Sequence, residues 1–202
     1  MMRDVLVTTF LSLDGVMQAP GGPDEDPSGG FALGGWSYSY FDDEVGQEMG
    51  QLMAQPFDLL LGRRTYEIFA GFWPNAPEDE NSTPLNEATK YVASRGTPEL
   101  TWEKSVLLEG DAAAAVAALK QTEGRQLQVH GSGDLVQTLL AAGLVDWWHL
   151  VIHPVLLGSG RRLFADGTLP ASLRLVDGRV TKGGTLLATY EPAGDVVVGS
   201  FG

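Results

Sequence analysis

The chain has 202 residues, 44% of them hydrophobic and 19% charged, with 26 Asp and Glu against 13 Lys and Arg and a formal net charge of -13. That suits one globular domain over residues 1–202, and so acidic a balance argues against general nucleic-acid affinity, which needs a broad basic surface. The absence of cysteine rules out disulfides, thiolate metal sites and cysteine nucleophiles; no apolar run nears a membrane span and no signal-peptide core follows the N-terminal Met, so a soluble, cytoplasmic protein is expected.

Taken in order, Asp4-Val5-Leu6-Val7-Thr8-Thr9-Phe10-Leu11 predicts a strand, and Ser12-Leu13-Asp14-Gly15 a turn that ends it. From Gln18 to Gly35 the composition shifts to Gly, Pro, Asp and Ser, which predicts a long loop of the kind that serves as a lid. The aromatic cluster that follows, Phe31, Trp36, Tyr38, Tyr40 and Phe41, has no reason to border a solvated linker. A helix is predicted from Asp42 to Gln55, with acids in its first turn and Val45, Met49, Leu52 and Met53 near one face. A buried strand over Phe57–Leu61 leads to a helix from about Thr65 to Phe69, then an exposed loop from Pro74 to Asn86. Strands over Lys90–Ser94 and Ser105–Leu108 precede a helix over Ala112–Lys120, for which Asp111 is the N-cap.

Leu127-Gln128-Val129-His130 reads as another buried strand, running through Gly131-Ser132-Gly133-Asp134 into a helix over Leu135–Ala142. A long strand over Val145–Pro154 and terminal strands near Arg174–Val176 and Gly184–Tyr190 complete the chain. Alternating strands and helices followed by strands alone predict an α/β fold whose sheet is mostly parallel with an antiparallel edge.

Two places carry chemistry. Leu59-Leu60-Leu61-Gly62-Arg63-Arg64-Thr65 puts a glycine and two guanidinium groups at a strand-to-helix junction, where free backbone N–H groups and the helix dipole favour an anion. Gly131-Ser132-Gly133 repeats the strand, glycine turn and helix pattern, which alone is a weak signal. His149 and His153 lie four apart on one strand and so face the same way, but a metal needs more ligands than that. His130, alone at a strand end, is as consistent with a structural role as with a functional one. Trp147 and Trp148 straddle the two faces of their strand, which puts one of them in the core.

The order of these motifs resembles the dihydrofolate reductase-like superfamily, and specifically the reductase domain at the C-terminal end of bifunctional riboflavin-biosynthesis deaminase-reductases, in its stand-alone bacterial branch. The carriers are Ser12-Leu13-Asp14-Gly15, Leu61-Gly62-Arg63-Arg64-Thr65-Tyr66, Ala93-Ser94-Arg95, Val129-His130-Gly131-Ser132-Gly133, and His153-Pro154-Val155-Leu156-Leu157-Gly158-Ser159-Gly160. The resemblance implies a three-layer α/β/α fold and an NADPH-dependent reductase acting on a small molecule as a homodimer. It implies an adenosine phosphate near Gly62, Arg63, Arg64, Thr65, Ser94 and Arg95, and a pyrophosphate on Gly131, Ser132, Gly133, Asp134 and Leu135. Paired arginine sites in place of an acidic residue favour a ribose phosphate over a free hydroxyl.

Asp14, ending the first strand where the lid begins, is the candidate polar group at the reacting centre; the alternative is a turn carboxylate bonding its own backbone. Phe31, Trp36 and Phe41 are the candidate substrate contacts, and no metal is expected. Arg161 and Arg162 are either a second cationic pocket for a sugar phosphate or surface charge. The position where a folate reductase carries its pterin-gripping carboxylate falls at Gly46. A cofactor-binding protein without turnover is the alternative to an enzyme.

Overall fold

The structure, a computed structural model, describes residues 2–201. Its strands are β1 (Val5–Ser12), β2 (Phe57–Gly62), β3 (Lys90–Ala93), β4 (Ser105–Leu108), β5 (Gln126–Val129), β6 (Trp147–His153), β7 (Leu173–Val180) and β8 (Leu186–Pro192); its helices are α1 (Asp43–Ala54), α2 (Arg63–Phe72), α3 (Ser82–Glu87), α4 (Ala112–Lys120) and α5 (Gly133–Ala141). They form one sheet of order β4-β3-β2-β5-β1-β6-β8-β7. The pairings from β4 across to β6 are parallel, and β8 runs antiparallel to both β6 and β7, as the switch from alternating elements to strands alone predicts.

Central strands read as continuous apolar runs because helices cover both their faces. On the back, Val116 of α4 and Leu135, Val136 and Leu139 of α5 pack on Val5, Val7, Leu60, Leu127, Val129 and Trp148. On the front, Met53 of α1, Tyr66 of α2 and Leu85 of α3 pack on Phe57, Leu59, Leu61 and Val92. Three layers result. Trp148 is the core member of its pair, and His149 and His153 point to the front, both buried.

Two expectations need correction. The stretch from Pro74 to Asn86 is not all loop, since α3 begins inside it at Ser82 and buries Leu85. Asp79 accepts bonds from the N–H groups of Asn81 and Ser82 ahead of that helix, and Pro84 in its first turn tolerates the missing donor. The segment between Gln18 and Gly35 is not open loop either. It has a 3-10 turn at Ser28–Gly30 and a core of its own, in which Val16, Ala19, Phe31 and Trp36 are buried together.

Candidate functional site

In an open α/β sheet, ligands bind where neighbouring parallel strands send their chains to opposite faces, because a crevice opens between the two connections. Here β1 leads to α1 on the front, while its neighbour β5 leads to α5 on the back. The glycine turn lies at that point, and its Gly131–Ser132 peptide is cis. β2, on the other side of β5, ends at Gly62 and starts α2 on the front. Gly62 N–H donates to the Gly131 carbonyl at 3.2 Å. A Cβ on Gly62 would stand 2.1 Å from Ser132 Oγ, and one on Gly131 would meet Thr65 Oγ1 at 2.8 Å with φ at +144°. The two strand-to-helix junctions are therefore packed against each other through glycine.

Helix capping sets these two junctions apart from the starts of α1 and α4. Asp42 caps α1 by accepting from Val45 N–H at 2.9 Å, and Asp111 caps α4 by accepting from Ala114 N–H at 2.9 Å. α2, opened by Gly62, and α5, opened by Ser132, have no side-chain cap. Their first amides are left for water or a ligand, at the positive ends of both dipoles. The site is thus built for an anion by backbone, and the arginines differ in how free they are to add to it. Arg63 is exposed and pairs with Glu67 at 3.0 Å. Arg95 is exposed and has no side-chain partner among the described residues; Ser94 beside it accepts from Gly96 N–H. Arg64 turns the other way and bonds Asp26. Asp134 is exposed in the first turn of α5, whereas Leu135 is buried in the back core and can offer only backbone.

Asp26 gives no signal in the sequence, yet it organises the lid. Its carboxylate takes bonds from Arg64 of α2, Arg161 of the β6–β7 connection, and Ser28 Oγ at 2.6 Å. Burial pushes its pKa up, but the bonds from Ser28, Arg64 and Arg161 outweigh that and hold it below the usual carboxylate range. Buried Gln18 supports it, donating to the carbonyls of Asp26 and Ser28 at 2.9 Å and accepting from Arg161 N–H. A cavity of about 260 Å³ lies between lid and connection, lined by Ser28, Ser159, Gly160 and Arg161. Arg161 is therefore more than surface charge.

Asp14 also has a fastening role. Its carboxylate accepts from Ser12 Oγ at 2.6 Å, from the N–H groups of Leu157 and Gly158 at 3.1 and 2.9 Å, and from Arg162 at 3.3 Å. The bond from Ser12, helped by those from the connection, holds its pKa far below the usual value. A carboxylate so held has no proton to give at neutral pH, so the geometry fits a clamp between the end of β1 and the β6–β7 connection better than a proton donor. Of the aromatic candidates, Phe31 and Trp36 are buried in the lid core, where Trp36 Nε1–H donates to the Gln18 carbonyl at 2.8 Å. Phe41 is 48% exposed and stands edge-on to Phe10, so it is the most open of the three, while Phe31 also lines the cavity between lid and connection.

No group of three metal-ligating side chains occurs among the described residues. His149 and His153 bond Thr189 and Thr185 through Nδ1 and are part of the packing. On the front, a groove of about 590 Å³ runs along α1 past Asp43, Gly46, Gln47, Gly50, Gln51 and Ala54, with Glu80 on its far side.

A family model described as the RibD C-terminal domain matches residues 3–187. The chain belongs to that family. The family is one of reductases, which gives the broad class of chemistry for this RibD C-terminal domain. Among curated proteins it is similar to the uncharacterized protein YyaP of Bacillus subtilis (strain 168), 28% identical over 136 residues, 65% of this chain and 72% of that protein. It is also similar to the uncharacterized protein YwjB of the same organism, 31% identical over 118 residues, 58% and 63% of the respective chains. The fold recurs in a putative riboflavin biosynthesis protein from Shewanella sp. PV-4, with a TM-score of 0.67, 21% identity and coverage of 94% of this chain and 99% of that one. It recurs in a dihydrofolate reductase from Enterococcus faecalis complexed with NADP(H), with a TM-score of 0.57, 15% identity and coverage of 94% and 96%. This RibD C-terminal domain therefore has the dihydrofolate reductase-like α/β fold.

Proposed function

We propose that this RibD C-terminal domain is an NADPH-dependent oxidoreductase that transfers hydride to a small heterocyclic or sugar-derived substrate, in the manner of the phosphoribosylaminouracil reductases of riboflavin biosynthesis. The observation that carries the reading is the pair of uncapped helix starts, α2 and α5, meeting at a glycine turn where Gly62 leaves no room for a Cβ. A pyrophosphate suits such a pair, because both helix starts leave backbone N–H groups without a side-chain cap at the positive ends of their dipoles. Arg63 and Arg95 would neutralise the ribose phosphate, with Thr65 and Ser94 as further donors. When bound, the cofactor supplies the hydride. The residues of the chain bind and orient it, while the lid, closed through Asp26, keeps water from the crevice.

Folate itself is a poorer substrate on this reading, since Gly46 brings no carboxylate to α1 at the pterin-gripping position. A homodimer is proposed from the family resemblance, and light scattering at micromolar concentration tests it.

The test of function is a fluorescence titration with NADPH and NADH side by side. NADPH is expected to bind more tightly, and Arg95→Ala or Arg63→Ala to weaken it by about tenfold each, the effect of one charge-assisted hydrogen bond. Failure of the unaltered protein to bind either nucleotide overturns the assignment. Binding without oxidation by any pterin or aminouracil leaves a cofactor-binding protein instead.

A further inference from the structure

We propose that Arg64 is shared between the lid and a nucleotide phosphate. Without ligand it latches the lid through Asp26, and a phosphate at the start of α2 draws it off that carboxylate. The inference rests on the reductase reading and adds to it a coupling between nucleotide binding and the lid.

The lid spans the same crevice as the proposed nucleotide. At its root Met17 N–H donates to the Arg161 carbonyl at 2.8 Å, and Met17 Sδ stands 3.4 Å from where a Cβ on Gly133 would be, against the glycine turn. Further along, Asp26 reaches α2, where Arg64 is the second residue, between Arg63 and Thr65. Thr65 Oγ1 in turn fills the space beside Gly131. Arg64 is therefore fastened to the lid from within the turn of helix that is proposed to hold the phosphate.

The bonds of Asp26 show that this fastening can be given up. Oδ1 accepts from Ser28 N–H at 3.2 Å, from Ser28 Oγ at 2.6 Å and from Arg64, while Oδ2 accepts from Arg64 Nε at 3.1 Å and from Arg161. Without Arg64 each oxygen keeps a donor and the buried carboxylate keeps one guanidinium, so no acceptor is orphaned and no buried charge is left unpaired. Arg161 is tied more widely, by its side chain to Ser28 Oγ and by its N–H to Gln18 Oε1 at 2.9 Å. Arg64 has no other side-chain partner among the described residues, and its side chain is 44% exposed. A phosphate monoester carries roughly two negative charges and three acceptor oxygens, against the single charge of Asp26, which makes it the stronger partner for a guanidinium.

Nucleotide binding then frees the edge of the lid that faces α2, while Arg161 and Gln18 keep its other edge on the β6–β7 connection. Linkage makes the effect reciprocal: removing Asp26 as a competitor leaves Arg64 available and tightens the phosphate.

The test is hydrogen exchange over residues 18–35, alongside titration with NADPH and with adenosine 2′,5′-bisphosphate, which has phosphates but no nicotinamide. Exchange in that segment is expected to quicken severalfold with either ligand. Asp26→Asn and Arg64→Gln should both quicken it without ligand, and neither should respond further. Their affinities should move in opposite directions, Asp26→Asn binding the bisphosphate about fivefold more tightly and Arg64→Gln about tenfold more weakly. A latch that only holds the lid would shift the two variants in the same direction or not at all, and that result overturns the proposal. So does exchange in the unaltered chain that bound nucleotide leaves unchanged or slows. Failure of both NADPH and the bisphosphate to bind the unaltered chain sinks the reductase reading and the proposal with it, whereas binding with a silent lid overturns the proposal alone.

Discussion

Gly62 and Ser132 come from different strands, yet the space each occupies is defined by the other. Adding a methyl group at Gly62 places a carbon 2.1 Å from Ser132 Oγ and 3.1 Å from its backbone nitrogen, so the turn must shift. Gly62→Ala is expected to cost about 1–3 kcal/mol in urea denaturation, as overpacking does, and to weaken NADPH at least tenfold. Because most of the clash is with the serine side chain, Ser132→Gly introduced beside it should recover part of both losses; strict additivity would show that the two residues are not coupled. Asp14 gives a second expectation at this scale. Asp14→Asn removes a charge that accepts from two amides of the β6–β7 connection, so hydrogen exchange at Leu157 and Gly158 should quicken. A proton-donor role would instead show as lost turnover with unchanged exchange.

The helices divide by how they start. α1 and α4 follow the N-caps Asp42 and Asp111, of which the sequence pattern predicts Asp111 but places Asp42 inside its helix; in each a short acceptor side chain reaches the third amide from its own backbone. α2 and α5 lack this local solution, and no side chain caps their first amides. Asp42→Ala should therefore cost about 1 kcal/mol in urea denaturation and leave nucleotide affinity unchanged, while Gly62→Ala changes both. The lid is held differently, through one buried carboxylate shared by arginines from two elements. Asp26→Ala leaves Arg64 and Arg161 without their common partner, and limited proteolysis is expected to cut faster between residues 18 and 35. An unchanged cleavage rate would mean that Phe31 and Trp36 alone hold the lid.

Over the whole molecule, titration couples the histidines to folding. His130 and His153 have their pKa values lowered by burial from 6.5 to about 4, and that of His149 is lowered too, again mainly by burial. Between those values the unfolded chain binds more protons than the folded one, so stability increases with pH there. The contribution of these neutral rings is fully present above about pH 6.5 and is lost as pH falls toward 4. Asp14, Asp26 and Asp42 act in the next window. Their pKa values are depressed in the fold, so their contribution is present above the ordinary carboxylate value of 3.8 and is lost on further acidification. Urea midpoints measured from pH 8 to 4 should be level at first and then fall below about pH 6.5; a flat profile would show that the histidines are hydrated in the fold.

What the sequence by itself determined is local: the strands and most helices, through apolar periodicity and caps, and the two strand, glycine and helix junctions, through residues adjacent in the chain. Boundaries moved by a few residues, and α3 was missed because its short apolar face rests on Leu85 and a proline at its start. The tertiary structure decided everything that needed two distant segments. It brought Gly62 against Ser132, turned Arg64 away to Asp26, and buried Phe31 and Trp36 within the lid. Those relations depend on which strand lies beside which, and strand order is set by the packing of helices over the whole sheet, not by any stretch of residues that can be read alone.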